Sequence, residues 1–160
     1  MGLETIHASA AEFLNKRLDL AGFDRALGIL ADHEIDARVF VLLGAPGIAP
    51  SESVEWTVRS VAYAAGRGAA MVSIIPVRGG NGEMERLASL GHFTPPTLWQ
   101  LESALDQSIE HANTAVTVDL WDIERLADCA ACRDQRIARL HRMNLSGARE
   151  PAVVCRECAA

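Results

Sequence analysis

Two cysteine pairs, Cys129-x-x-Cys132 and Cys155-x-x-Cys158, account for every cysteine in this 160-residue chain, and 22 residues separate the inner members. Each pair brings two thiolates close enough to take neighbouring corners of a tetrahedron, so together they can close a structural zinc site of the ribbon kind. Redox-active Cys-x-x-Cys pairs and free or iron-bound thiols are the competing readings of the same spacing. Disulfides are disfavoured, because the opening stretch MGLETIHASAAEFLNKR lacks the charged and apolar regions of a signal peptide. Four thiolates leave no open coordination position, so the centre is expected to be structural. Metal binding worth about 10–16 kcal/mol could fold a tail with little core of its own.

A second group of polar residues follows apolar runs. Arg78 and Asn81 lie in the glycine-rich stretch RGGNG, and Asp119 and Asp122 flank Trp121. Glycine-rich loops let a ligand approach the backbone, whereas the plain alternatives are a tight turn at Gly79, Gly80 and Gly82 and a helix cap at Asp122.

Charge divides the chain. Residues 1–128 carry 9 basic and 18 acidic side chains, and residues 129–160 carry 6 basic and 3 acidic. All six basic residues of the tail are arginines, four of them, Arg133, Arg136, Arg139 and Arg142, about one helical turn apart. That row reads either as a solvated helix face or as a grip for phosphates, which would make tRNA a partner. The acidic body argues against general nucleic-acid affinity.

The elements that must position these residues alternate in type. Helical spacing of Leu20, Phe23, Leu27 and Leu30 marks a helix capped by Asp19, and RVFVLLG (Arg38–Gly44) reads as a strand buried on both faces. Ser51 is the expected cap of the next helix, which ends near Gly66 and Gly68. AAMVSIIPV (Ala69–Val77) and AVTVDLW (Ala115–Trp121) are further strands, separated by helices near Glu83–Leu90 and Thr97–Ala112. Before the first strand, Gly2 and Leu3 read as a turn leading into a helix. Strands joined by helices imply an α/β fold with a parallel sheet, whose strand ends share one rim. The loops after the strands bring Gly44, Arg78, Asn81, Asp119 and Asp122 to that rim.

The stretches MGLETIH, LNKRLDLAGFDRAL, RVFVLLGAPG and SVEWTVRSVAYAAGRGAAMVSIIPVRGGNGEMERLASLGHFTPPTLWQLESAL, with the two cysteine pairs, resemble radical S-adenosylmethionine (SAM) enzymes. The resemblance is to members related to the radical SAM partner of archaeosine synthase and, more distantly, to tRNA-modifying enzymes of the Elp3 and MiaB type. It implies the C-terminal half of a partial six-stranded β/α barrel over residues 1–122, entered at about its fourth strand, with residues 123–160 as a metal-binding appendage. The Cys-x-x-x-Cys-x-x-Cys loop that binds a [4Fe–4S] cluster in such enzymes has no counterpart here. The resemblance also implies that Glu4 reaches the ribose or methionyl end of SAM. Phe40, Leu42 and Gly44 would lie along the adenosine, and Ile75, Pro76 and Val77 would meet the adenine. Arg78, Asn81 and His92 would face substrate, on the rim where the strand ends also place Asp119 and Asp122. The family's usual glycine, which ends a helix in the left-handed conformation, is replaced here by Glu34.

Two functions follow as expectations. One is a truncated radical SAM protein that carries part of a SAM and substrate site and is inactive alone, its full-length relatives acting on a tRNA base or nucleobase. The other is a zinc-stabilised, non-catalytic module that binds RNA or protein. An exposed sheet edge at Arg38–Gly44 would invite an N-terminal half or a second copy. No run approaches membrane-spanning length, and the expected compartment is the cytoplasm.

Overall fold

The apolar runs assemble into one sheet. The computed structural model describes residues 1–16 and 18–158. Strands β1 (Gly2–Glu4), β2 (Arg38–Leu43), β3 (Met71–Pro76) and β4 (Ala115–Val118) are all parallel and lie side by side in chain order. Helices α1 (Ala8–Phe13) and α2 (Leu20–Asp32) join the first two strands, α3 (Ser53–Gly66) the next two, and α4 (Glu83–Ser89) and α5 (Leu98–His111) the last two. A 3-10 turn at Ile123–Leu126 and α6 (Arg133–Ser146) follow β4. The chain is α/β with a four-stranded parallel sheet, as the alternation of patterns predicts.

Side chains alternate along a strand, and here the two faces differ. Leu3, Val39, Val41, Val72, Ile74, Val116 and Val118 are buried on one face. Register sets Val39, Val72 and Val116 in one row and Val41, Ile74 and Val118 in another. They form a single core with Phe23 and Leu27 of α2, Val61 and Ala64 of α3, Leu101 and Leu105 of α5, and Leu140 and Met143 of α6. Each Val, Leu, Ile, Phe or Met among them contributes about 1.5–3 kcal/mol relative to exposure. Phe40, Leu42, Met71, Ile75 and Thr117 alternate onto the opposite face, are only half-buried and stand outside that core. The expectation that β2 is buried on both faces therefore holds for one face only. Within this second face Ser73 accepts from Arg38 Nε at 2.8 Å and shares a hydrogen bond with Thr117 Oγ1 at 2.8 Å.

The start of the chain departs from the turn read there. Gly2–Glu4 pairs with β2, and Phe40 N donates to Met1 O at 2.9 Å; three residues are too few to display a period. β1 thus covers the edge expected to be bare at Arg38–Gly44, and β2 is an interior strand. At the opposite flank Asn144 of α6 donates Nδ2 to Val118 O at 2.8 Å and accepts from Val118 N at 2.9 Å. The amide takes the pairing position that a neighbouring strand would use.

Asp19 caps α2 as expected, accepting from Gly22 N at 2.7 Å. Ser51 does not cap α3. That helix starts at Ser53, whose Oγ accepts from Gly44 N at 2.9 Å, while Thr57 donates to Leu42 O at 3.1 Å. Those two bonds fasten α3 to the end of β2. Gly44 itself has φ +76°, and a Cβ there would stand 2.9 Å from Pro96 Cδ, so this strand end requires glycine. Glu34 adopts φ +57°, the left-handed turn in which glycine is the favoured residue. No helix among the described residues is long and apolar enough to cross a membrane.

Candidate functional site

Cys129 and Cys132 precede α6, with Cys132 at its N-cap, and Cys155 and Cys158 lie in the segment that returns after it. The four Sγ atoms fall within 4.8 Å of one another, with Cys129–Cys155 at 3.9 Å and Cys132–Cys158 at 3.5 Å. Zinc–sulfur bonds of about 2.3 Å give a tetrahedron with edges of about 3.8 Å. The sulfurs therefore stand close to the corners that a metal ion such as zinc requires. A 14-residue helix connects the pairs, in place of the β-hairpins of a ribbon. Backbone N–H groups of Cys158 and Glu157 hold the Cys155 thiol down at about 7. Hydrogen bonds with the other three sulfurs push Cys158 up to about 12, and burial raises Cys132. Four thiols packed this tightly resist joint ionisation, and a divalent cation among them removes that conflict.

Arg136 ties this centre to the body. Its Nε donates to Cys132 Sγ at 3.2 Å, its Nη2 lies 3.9 Å from Cys158 Sγ, and its Nη1 donates to Glu102 Oε2 at 2.7 Å. One turn further, Arg139 is 1% exposed. It donates to Glu102 Oε1 at 3.3 Å, to Asp106 Oδ1 at 2.7 Å, and to the carbonyls of Glu150 and Pro151 at 2.6 and 2.9 Å. Neither a solvated face nor a phosphate grip describes Arg136 and Arg139, which both point inward, while Arg133 and Arg142 of the same row reach solvent. Glu102 and Asp106 are one turn apart on α5, opposite the two arginines on α6, so the packed helices meet through a charged seam. Four thiolates around a divalent ion retain excess negative charge, and Arg136 sits against it. Arg142 pairs with Glu150 at 2.7 Å, and Arg133 with Asp134 at 2.9 Å.

The second group lies along the C-terminal ends of the strands. Glu4 ends β1 at φ +66°, with Lys16 Nζ 2.6 Å from its carboxylate. A non-glycine residue held there is a backbone outlier of the kind that accumulates at ligand sites. Val77 N donates to Leu43 O at 2.9 Å and Asp119 N to Ile74 O at 2.8 Å, extending the sheet past its formal ends. Glu4, Gly44, Val77, Arg78 and Asp119 are thereby brought to one rim. Phe40, Leu42 and Ile75 share the half-buried face beneath it, but Pro76 is buried on the side of the core.

Asp119 accepts from Arg78 Nη1 at 2.8 Å and from Trp121 N at 3.2 Å, and the Arg78 guanidinium lies 5.3 Å from the centre of the Trp121 ring. Asn81 is exposed and accepts from Met84 N at 3.0 Å, at the start of α4. The glycines beside it wrap Glu85, whose carboxylate accepts from Gly80 N and is lowered first by that bond. Asp122 stands at φ +52°, makes no cap through its side chain, and pairs with Arg125 at 2.9 Å. His92 is exposed, 5.1 Å from the Phe13 ring.

Sequence reasoning missed the Glu102–Arg136–Arg139–Asp106 seam, Asn144 and the stacking of Trp121 on Arg78. For the seam a signal was present: Glu102 lies beside Leu101, and Arg139 beside Leu140, on the apolar stripes of their helices. The fold and the centre define the class coarsely, as an α/β parallel-sheet protein with a four-cysteine group able to hold a metal ion. Neither a protein-family model, nor a curated protein, nor a solved structure matches the chain.

Proposed function

We propose that the chain forms one wall of a radical SAM-type β/α barrel, fastened on one side by zinc in the four-cysteine centre. The observation that carries this reading is the half-buried sheet face. A doubly wound sheet reverses its strand order and covers both faces with helices, whereas a barrel wall keeps sequential order and turns one face inward. The order β1-β2-β3-β4, with the helical core on one side, fits the second pattern.

Phe40, Leu42 and Ile75 offer an apolar bed for the nucleoside of SAM on that face, beneath the rim that gathers Glu4, Gly44 and Val77. All four cysteines converge at the other centre, so in this reading residues of a full-length relative hold the [4Fe–4S] cluster that generates the 5′-deoxyadenosyl radical. This chain's part is to bind and shield the nucleoside and to position a tRNA base or nucleobase near Arg78 and Asp119. Zinc with four thiolate ligands has no open position and is structural.

Titration of SAM into the zinc-loaded protein carrying 13C-labelled methyl groups tests the reading. Saturable shifts at Leu42 and Ile75 are expected, with the Leu42 shift abolished in Ile75→Glu, and the chain alone should form no 5′-deoxyadenosine. No methyl response at millimolar SAM would refute it. The competing reading, a zinc-stabilised binding module, then gains; burial of Arg136 and Arg139 favours a protein partner over RNA for that module.

A further inference from the structure

Arg78 is held in a way that its own neighbours do not explain. Its side chain is 14% exposed, and it follows β3 at the rim where parallel sheets bind ligands. Nη1 is fully used, donating to Asp119 Oδ2 at 2.8 Å and to Pro76 O at 3.2 Å. Nε and Nη2 are buried and have no hydrogen-bond partner among the described residues. A buried donor without a partner is costly, more so on a charged group, so folded proteins rarely leave two on one side chain.

The two orphans are not a random pair. Nε–H and the outer N–H of Nη2 point the same way from one edge of the guanidinium, the edge that grips a carboxylate or a phosphate through two parallel bonds. Asp119 and the Pro76 carbonyl anchor the opposite side, so the fork is oriented before any ligand arrives. Trp121 lies over the guanidinium, and 71% of its own surface is in solvent. Displacing that ring costs little buried area.

We infer that Arg78 is an oxyanion receptor: its free edge takes a carboxylate or phosphate of a small ligand at the rim, with Asp119 as its anchor and the Trp121 ring beside the guanidinium. The inference deepens the reading above, which places substrate beside Arg78, by naming the group that the substrate must carry. Asp119 is a positioning residue here, since it acts through the guanidinium.

Inorganic phosphate and acetate are titrated separately into the zinc-loaded, 15N-labelled full chain, with sodium chloride at matched ionic strength as reference, following the Arg78 Nε–H resonance and Trp121 fluorescence. One or both oxyanions should shift the resonance saturably, with half-saturation at least ~10-fold below any chloride effect, as expected for a bidentate charge-assisted pair. The tighter of the two identifies the source as phosphate or carboxylate. Arg78→Lys keeps the charge and loses the fork, and should weaken the Trp121 response by ~10-fold or more. Asp119→Asn should weaken it less while leaving the resonance responsive. A linear response shared with chloride, or an unchanged affinity in Arg78→Lys, would overturn the proposal. SAM-induced shifts at Leu42 and Ile75 are read on the same samples, so the SAM bed and the oxyanion receptor stand or fall separately.

Discussion

Arg139 offers the sharpest test of what holds the C-terminal segment to the sheet. Replacing it with methionine keeps an unbranched apolar stem and removes the charge and the donors. In the native chain those donors serve Glu102, Asp106 and two backbone carbonyls, all around a side chain that is 1% exposed. Breaking a buried pair costs about 3–5 kcal/mol. Glu102 keeps Arg136 at 2.7 Å, and Asp106 keeps the more exposed Arg149 at 3.7 Å, so the lower end of that range applies. A loss of ~3 kcal/mol corresponds to roughly 6–12 °C in Tm for a domain of this size. Thermal unfolding with zinc held at a fixed excess measures it. Arg139→Lys restores the charge without the fork and should recover about half the loss. A shift below about 2 °C in Arg139→Met would show that the seam contributes little. Equal losses in the two variants would show that the forked hydrogen bonds, and not the charge alone, set its strength.

Other outcomes follow from the same geometry. The chain should bind one zinc, with proton release on binding and metal loss on acidification because protons compete for the thiolates; Cys155→Ser should lower the affinity by an order of magnitude or more, read by chelator competition. Glu34→Gly should raise stability by about 0.5–1 kcal/mol in urea unfolding, since it relieves a left-handed residue without removing a buried contact. Asn144→Ala should cost about 1–3 kcal/mol by orphaning both backbone groups of Val118. The same variant should increase self-association measured by light scattering.

The strands β2, β3 and β4 were legible because continuous apolar runs between helical periods have few other interpretations. The end of β4 was not: AVTVDLW continues to look extended, but Asp119 turns to Arg78 and Trp121 leaves the sheet. β1 was invisible as a pattern, because three residues are too few to show an alternation. That the two Cys-x-x-Cys pairs meet was legible from their spacing, but the helix that joins them in place of a ribbon's hairpins was not. The centre's arginine second layer was not legible either, because a row at helical spacing states which side chains share a face and not whether that face meets water. Glu102 and Asp106 settle the matter, and they lie about 30 residues earlier in the chain. The orphaned edge of Arg78 is a property of the folded rim, invisible in RGGNG.

The Asn144 amide also gives the sheet a direction of growth. Its β4 flank is occupied at Val118 by a side chain that imitates a neighbour, while the β1 flank has no strand beside it among the described residues. Any strand contributed from elsewhere would therefore be zipped alongside Gly2–Glu4, and the first side chains it met would be the Glu4–Lys16 pair.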